Sequence, residues 1–551
     1  MPSATAYRRA PLLDPAYVPL SDSAVHLEGP LESMIQQVLK QVDVNRMSAL
    51  DSVLATRLGG YAQLPPMPDV EGAVTLLPGE PGRFIALVTG ASMLAAISRD
   101  KEGMLRVLGA MRAFLGAMPA MTEEALFWCG ADALRLASDL YRRTGQAFLL
   151  NLLESLRAQL PDVSGLMHMF PFQKEFRPGS AAATEAEISY HQRMERFATG
   201  KGIADALSMT AYLSQYSGSG RDGAAPLAGL TALNRFHGMP CGGFSADPYL
   251  AGKDPARAVE LEALCAQVQA CADALWATGE PLFAQRLESL MINALPDLLT
   301  EEGVRGLEPT NRLAEDESCA IHKPDKEDVS SLLRALYALA RSVWLSKDDD
   351  TIAYLLPVEG GCLTRLGGVP VRLTAEVGGV LEKEITLRVE CRQSVSFTLQ
   401  LLPPAWADSA TLNVNGGRSQ AVAQGQPYSL TRVYQNGDVI TLRLGLSPRA
   451  EAGYRGSASV FFGGRLMALA LPEADVAWQY ALVAGNRMTA TEEAGEPQVL
   501  VTACEAPQWQ QRNSFILPPP QGVPMGPAYQ LTLIPYAGTH GRIAAFPCVR
   551  A

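Results

Sequence analysis

Up to about residue 345 the apolar residues recur every three or four positions, the spacing of helices that bury one stripe. Within Leu31–Leu58, for example, Met34, Val38, Val42 and Met47 fall at helix-compatible intervals. The same period predicts helices near 84–98, 102–118, 122–143, 146–160, 201–216, 257–278, 281–300 and 327–345. They come roughly in pairs, separated by breaks such as Gly116-Ala-Met-Pro119 and Thr144-Gly145. Paired amphipathic helices without long β runs predict a helical toroid or solenoid, because each pair must bury its stripe against the next.

After Lys347-Asp-Asp-Asp350 the period shortens. Thr351–Pro357, Val369–Ala375, Glu384–Val389, Ser396–Leu401, Ala410–Val414 and Val439–Leu444 read as short strands. Asn415-Gly416 and Asn436-Gly437 carry the pair that tight hairpin turns favour, since both central residues there need positive φ. The expectation is a helical domain over 1–349 and a β-sandwich region over 350–551. The second stretch is long enough for two small sandwiches.

Composition narrows the class. A chain of 551 residues exceeds the size at which one core stops growing, and 48% hydrophobic with 19% charged residues describes an ordinary globular protein. A net charge of −11 argues against a nucleic-acid partner, which needs a basic surface. No apolar signal core follows Met-Pro-Ser-Ala-Thr-Ala-Tyr-Arg-Arg, and no long uncharged apolar run predicts a membrane span. The nine scattered cysteines read as reduced thiols, so a cytoplasmic location is expected.

The most informative stretch is His237-Gly-Met-Pro-Cys-Gly-Gly-Phe-Ser-Ala-Asp247-Pro248-Tyr-Leu-Ala-Gly252, followed by Val259-Glu260-Leu261-Glu262-Ala263. It resembles the active-site segment of glycoside hydrolase family 127, the β-L-arabinofuranosidase-like proteins, and of that family's larger relatives. Thr278-Gly279-Glu280, Arg286-Leu287-Glu288, Asn293-Ala294-Leu295-Pro296 and Gly306-Leu307-Glu308-Pro309 match further motifs in the same order. So do Pro403-Pro404-Ala405-Trp406-Ala407, Val414-Asn415-Gly416, Trp478-Gln479-Tyr480-Ala481-Leu482 and Leu533-Ile534-Pro535-Tyr536. The resemblance implies an (α/α)6 helical toroid followed by β-sandwich domains.

It also implies a chemistry from which this chain departs. The family's hydrolases use a cysteine nucleophile beside zinc, with Glu and Cys ligands and a Glu as acid/base. Glu260 keeps the ligand position, but Glu262 stands where a Cys ligand belongs and Pro248 where the acid belongs. The family's paired cysteines reduce here to Ser318-Cys319. By ligand type Glu260, Glu262, Cys319 and His322 are the residues to consider for zinc. With the Cys pair lost, no cofactor is expected.

The remaining candidates are carboxylates. Glycosidases commonly need one protonated and one ionised carboxyl, and Asp247, Glu260 and Glu262 could supply them, with Cys319 as a residual nucleophile. On one helix Glu260 and Glu262 would lie about 200° apart. Both face one pocket only from an extended segment before the helix. The plain alternative is two acids at a helix N-terminus, where negative charge is favourable. His237 is a candidate for binding sugar hydroxyls or for a structural role. Trp128 is a candidate for stacking on a sugar or for burial. His191 lies near a segment resembling the family's His-bearing one, although Thr199 takes the matching position. The resulting expectation is a glycoside hydrolase acting on a small glycoside or oligosaccharide by carboxylates. The alternative is a non-catalytic carbohydrate-binding or assembly protein that has lost the zinc–cysteine site. The partner expected is a carbohydrate substrate, with neither nucleic acid nor membrane; a homo-oligomer is compatible with the sequence.

Overall fold

The computed structural model describes residues 7–41, 47–59, 63–177, 193–312, 319–471, 480–506, 526–539 and 541–550. His191, Val42, Glu317, Ser318, Trp478 and Gln479 lie outside the described residues.

Six helices pack neighbour to neighbour in a closed ring: Ala49–Arg57, Pro81–Ser98, Glu123–Thr144, Gly200–Ser217, Leu261–Thr278 and Lys326–Val343, the last returning to the first. Gly29–Gln41, Lys101–Ala117, Phe148–Gln159, Gly220–His237 and Pro281–Ser289 lie outside, each against an inner helix. This is the (α/α)6 toroid that the resemblance implies; the helical period alone leaves a toroid or a solenoid open. Pro81–Ser98 is long and apolar enough to cross a membrane by length and composition, but half of it is buried, and it packs on ring neighbours. Leu261–Thr278 is apolar on almost every side because it is held between two ring neighbours and Pro281–Ser289. It can approach Gly200–Ser217 closely because residue 200 is glycine: a Cβ there would sit 2.4 Å from that of Ala263 and 2.6 Å from that of Ala246.

The predicted helix ends are set by local chemistry. Thr122, Thr199 and Asp325 cap three of the ring helices by accepting backbone N–H groups. Gly145, Gly218 and Gly279 end helices in the left-handed region. The Leu31–Leu58 pattern is realised as two helices, Gly29–Gln41 and Ala49–Arg57, the second begun by Ser48. The 281–300 stretch is interrupted by a π turn at Leu290–Ala294. Gly220–His237 is a helix that the apolar period does not reveal, since it carries Pro226 and several glycines.

Beyond Val343 the described chain is almost entirely strands. A five-stranded sheet (order Val18–Pro19, Trp344–Asp348, Thr351–Tyr354, Val395–Leu401, Tyr428–Tyr434) shares a core with a seven-stranded one running from Gln420–Ala421 to Val25–Leu27. Together they form a sandwich. Two N-terminal strands, Val18–Pro19 and Val25–Leu27, thus complete the sheets before the chain enters the ring. A nine-stranded assembly spanning Arg449–Ala452 to Cys548–Arg550 has its own core around Phe462, Val499 and Phe546. A single apolar core runs from Leu275, Leu287 and Leu336 through Trp344 into Leu373, Leu399 and Ile440, so ring and sandwich are packed as one body.

Asn415 (φ 54) and Gly416 (φ 68) occupy the centre of a tight turn, as the Asn-Gly pair predicts. Asn436-Gly437 does something else. The strands on either side of it, Tyr428–Tyr434 and Val439–Gly445, belong to different sheets, so this turn carries the chain across the sandwich. Its Asn436 side chain accepts the Cys391 N–H at 3.1 Å, and Gly437 N–H donates to the Val389 carbonyl at 2.8 Å.

Candidate active site

A cleft of about 210 Å³ opens among four of the ring helices, near their N-terminal ends. Glu123–Thr144 contributes Trp128, Asp132 and Arg135; Gly200–Ser217 contributes Lys201, Asp205 and Ser208. Leu261–Thr278 contributes Glu262, Cys265 and Gln269, and Lys326–Val343 contributes Glu327, Ser330 and Arg334. Trp128 stands at the rim, 38% exposed, with the Lys201 ammonium 5.9 Å from its ring centre and Phe127 edge-on beneath it.

The charges are wired across helices. Asp132 accepts from Arg135 and, at 2.9 Å, from Arg334. Arg135 is anchored in turn by buried Asp273, donating from Nη2 at 2.6 Å and Nε at 3.3 Å. Asp273 also accepts from Ser208 at 2.5 Å and from Tyr212 at 2.6 Å. Lys201 donates to Asp205 at 2.8 Å. Only Trp128 and Glu262 of this lining were singled out in the sequence.

These surroundings push the carboxyl groups apart. Burial alone would raise Asp132, but Arg334, Arg135 and Lys201 outweigh it and hold the carboxyl well below the usual range. Asp205 is pushed up by burial, against the pull of Lys201. Glu262 is also pushed up, first by the protein around it, against the pull of Lys201, with smaller contributions from the negative charges of Asp205, Glu327 and Asp328. Its neighbour Glu260 rises to about 7, through burial and the charges of Glu262 and Asp247.

Glu260 and Glu262 straddle a strand-to-helix junction. Glu260 ends the Ala258–Glu260 strand and caps the next helix with extended backbone, while Glu262 lies in the first turn. Glu262 reaches the cleft; Glu260 sits beside it and is not part of the lining. The extended segment considered from the sequence is therefore present, but it aims the two acids differently.

Other sequence candidates are placed elsewhere. Asp247 is gripped by Arg257, whose Nε lies 3.0 Å from both carboxylate oxygens, and accepts the Ala258 N–H at 3.0 Å. Arg257 also holds Glu175 at 2.5 Å. Asp247 thus fixes the loop that precedes Glu260 and lies outside the cleft lining. His237, considered for sugar binding, is fully buried. Its Nε2 meets the Phe172 carbonyl at 2.6 Å and its Nδ1 accepts the Gly252 N–H at 2.9 Å. Both ring nitrogens are taken, and burial lowers the imidazole to about 4, so it stays neutral. Cys319 is buried and is not part of the lining either.

The donors named for zinc do not gather. Among the described residues no three His, Cys, Asp or Glu side chains are placed to hold a metal ion, and His322 instead meets Asp328 at 3.1 Å. Position 262 offers a carboxylate where the resemblance implies a soft thiolate, so the described residues do not fit the zinc that it implies.

A helical ring with an acid-lined cleft, backed by β-sandwiches, defines the class as glycoside-hydrolase-like in fold. Comparison with known proteins makes it more particular. Residues 361–446 match the family model for the GH127 middle domain of β-L-arabinofuranosidases. A solved glycoside hydrolase superposes over 100% of both chains, with a TM-score of 0.67 and 14% identity. A GH127 β-arabinofuranosidase covers 97% of this chain and 98% of its own, with a TM-score of 0.57 and 14% identity. The GH127 β-L-arabinofuranosidase from Geobacillus stearothermophilus T6 covers 95% and 94%, at 0.60 and again 14%. No curated protein matches by sequence. The resemblance to family 127 read from the motifs is thereby met in the middle domain and in the fold of the whole chain.

Proposed function

We propose that this protein hydrolyses a small glycoside or oligosaccharide in the ring cleft, with carboxyl groups doing what zinc and cysteine do in the family it resembles. The observation that carries this reading is that Asp132, Asp205 and Glu262, from three ring helices, line one cleft beside Trp128, in surroundings that push Glu262 and Asp205 up and hold Asp132 down. Titratable pairs driven apart in this way suit a proton donor and an ionised partner. Glu262 is the donor to the leaving oxygen, because it is the raised acid with no cation hydrogen-bonded to it among the described residues. Asp132 is the ionised partner that meets positive charge developing on the sugar ring. As the glycosidic bond breaks, a solvent water adds to the anomeric carbon and its proton goes to Glu262, which restores the donor. Trp128 offers the sugar a face to stack on. At about 210 Å³ the cleft is smaller than the roughly 300–1,000 Å³ of typical small-molecule sites, which suits about one sugar unit.

The test is turnover of a panel of 4-nitrophenyl glycosides by the whole chain. Glu262→Gln should lower kcat/KM by about 10²–10⁴-fold, the usual worth of a general acid, with an unchanged melting temperature. Equal turnover by the variant would overturn the assignment. A second reading, sugar binding without hydrolysis, is favoured by Asp247: Arg257 and the Ala258 N–H occupy the carboxylate next to Pro248, so it does not restore the missing acid. Saturable binding of a glycoside by calorimetry without any product would decide for that reading.

A further inference from the structure

The bonds around Asp132 form a chain that extends away from the cleft. Tyr212 and Ser208, on one ring helix, fix Asp273 on the next; Asp273 fixes Arg135; Arg135 and Arg334 then grip Asp132 from two sides. Asp273 is buried and takes no part in the cleft lining. The chain ties together four of the six ring helices, and its end point is a single carboxylate facing the cleft. An ionised carboxylate has about four acceptor positions, and the two arginines engage one on each oxygen, which leaves further acceptor positions on a carboxylate that lines the cleft.

We infer that Arg334 and the Tyr212–Asp273–Arg135 chain are positioning residues that hold Asp132 in place for the reaction. This rests on the reading of the cleft as a glycosidase site. The alternative account is that these bonds only join helices. The two accounts differ in what happens with pH. The charged groups facing Asp132 are Arg135 on its own helix, Lys201 and Asp205, Glu262, and Arg334 with Glu327. Asp132 must be ionised to act, and its folded state is held below the usual carboxylate range. The wild-type protein should therefore keep its turnover as pH falls from 7 to 4 as far as Asp132 is concerned. Removing one cation lets burial, the largest influence on the group, push it back up towards the ordinary carboxylate range, so that an acid limb enters at the lower end of the profile, near about pH 4.

The experiment is the pH profile of kcat/KM on the 4-nitrophenyl glycoside turned over best, for the wild type, Arg334→Gln, Arg334→Lys and Tyr212→Phe. Arg334→Gln should move the acid limb upward by about one to three pH units, since an adjacent opposite charge lowers a carboxyl by that much and Arg334 is the strongest of the cations on Asp132, and the profile is carried down to about pH 3 to read it. Arg334→Lys keeps the charge and should restore most of the wild-type profile. Tyr212→Phe removes one bond at the far end and should raise KM several-fold with a smaller shift of the limb. An Arg334→Gln profile that coincides with the wild type, even at reduced stability, overturns the inference and leaves the glycosidase reading intact. Absence of turnover by the wild type on every glycoside overturns both.

Discussion

At the scale of single residues, the same side-chain types do different work according to their neighbours. Asp247 stands next to the position of the family's acid, which makes it a natural catalytic candidate in the sequence. Arg257 and a backbone N–H claim it instead. Asp247→Asn should therefore cost stability, about 1.5–3 kcal/mol as expected for hydrogen bonds to a charged group, read from urea unfolding. A variant as stable as the wild type would return Asp247 to the list of catalytic candidates. Glu262 was legible as a candidate because it falls in a recognisable motif, and Trp128 because a tryptophan can stack on a sugar face. Asp132, Arg135, Lys201, Asp205 and Arg334 were not. Spaced three or four apart, Asp132–Arg135 and Lys201–Asp205 look like the exposed ion pairs of any helix. The available signal was their place among apolar neighbours, as in Cys129-Gly-Ala-Asp132-Ala-Leu-Arg135. Only closure of the ring turns that face inward.

At the scale of elements, periodicity was a sound guide wherever one face alone is buried. The Val369–Gly378 strand alternates cleanly between core and solvent, and its central part is legible as a strand. Tyr428–Tyr434 escapes the pattern because it is an edge strand, with half-buried and exposed residues alternating. Gly220–His237 escapes it because Pro226, Gly223 and Gly229 weaken the helical signal, while contact with the Gly200–Ser217 helix and with Val163–His168 supplies what propensity lacks. Turn chemistry was local enough to be read at Asn415-Gly416 but not at Asn436-Gly437, where the same pair serves a crossing between sheets. At Gly416 a Cβ would meet nothing within 4 Å, so only backbone conformation opposes a side chain. Gly416→Ala should therefore destabilise the chain by about 1–2 kcal/mol, the cost of the left-handed region for a residue with a Cβ. Equilibrium unfolding would measure this; a neutral result would mean that the turn relaxes to another type.

At the scale of the whole molecule, the question is what keeps the ring and the β region in one piece. Part of the answer is the continuous apolar core. The rest is a polar clasp that no single motif announces, since its partners lie 173 residues or more apart. Arg542, fully buried in the C-terminal assembly, reaches Asp297 at 2.5 Å and also bonds Glu308, both on the ring side, with the Tyr536 ring 3.5 Å from its guanidinium. Asn311 accepts the Ala544 and Ala545 N–H groups at 2.9 Å, and Asn293 accepts that of Leu466 at 2.8 Å. A buried ion pair adds little net stability over a well-packed apolar contact, yet removing one partner strands the other charges. Arg542→Met leaves Asp297 without the guanidinium that pairs with it, while Glu308 keeps Arg312 and Arg305. The expected loss is roughly 3–5 kcal/mol. In calorimetry the wild type should melt as one cooperative unit, and Arg542→Met should melt lower, with the C-terminal nine-stranded assembly separating from the rest as a distinct transition. Substituting Asp297→Leu together with Arg542→Met removes both charges and should recover part of the loss, because the penalty lies mainly in the unpaired carboxylate. If the single and double variants melt alike, the clasp works through shape rather than charge, and the apolar core alone joins the two halves.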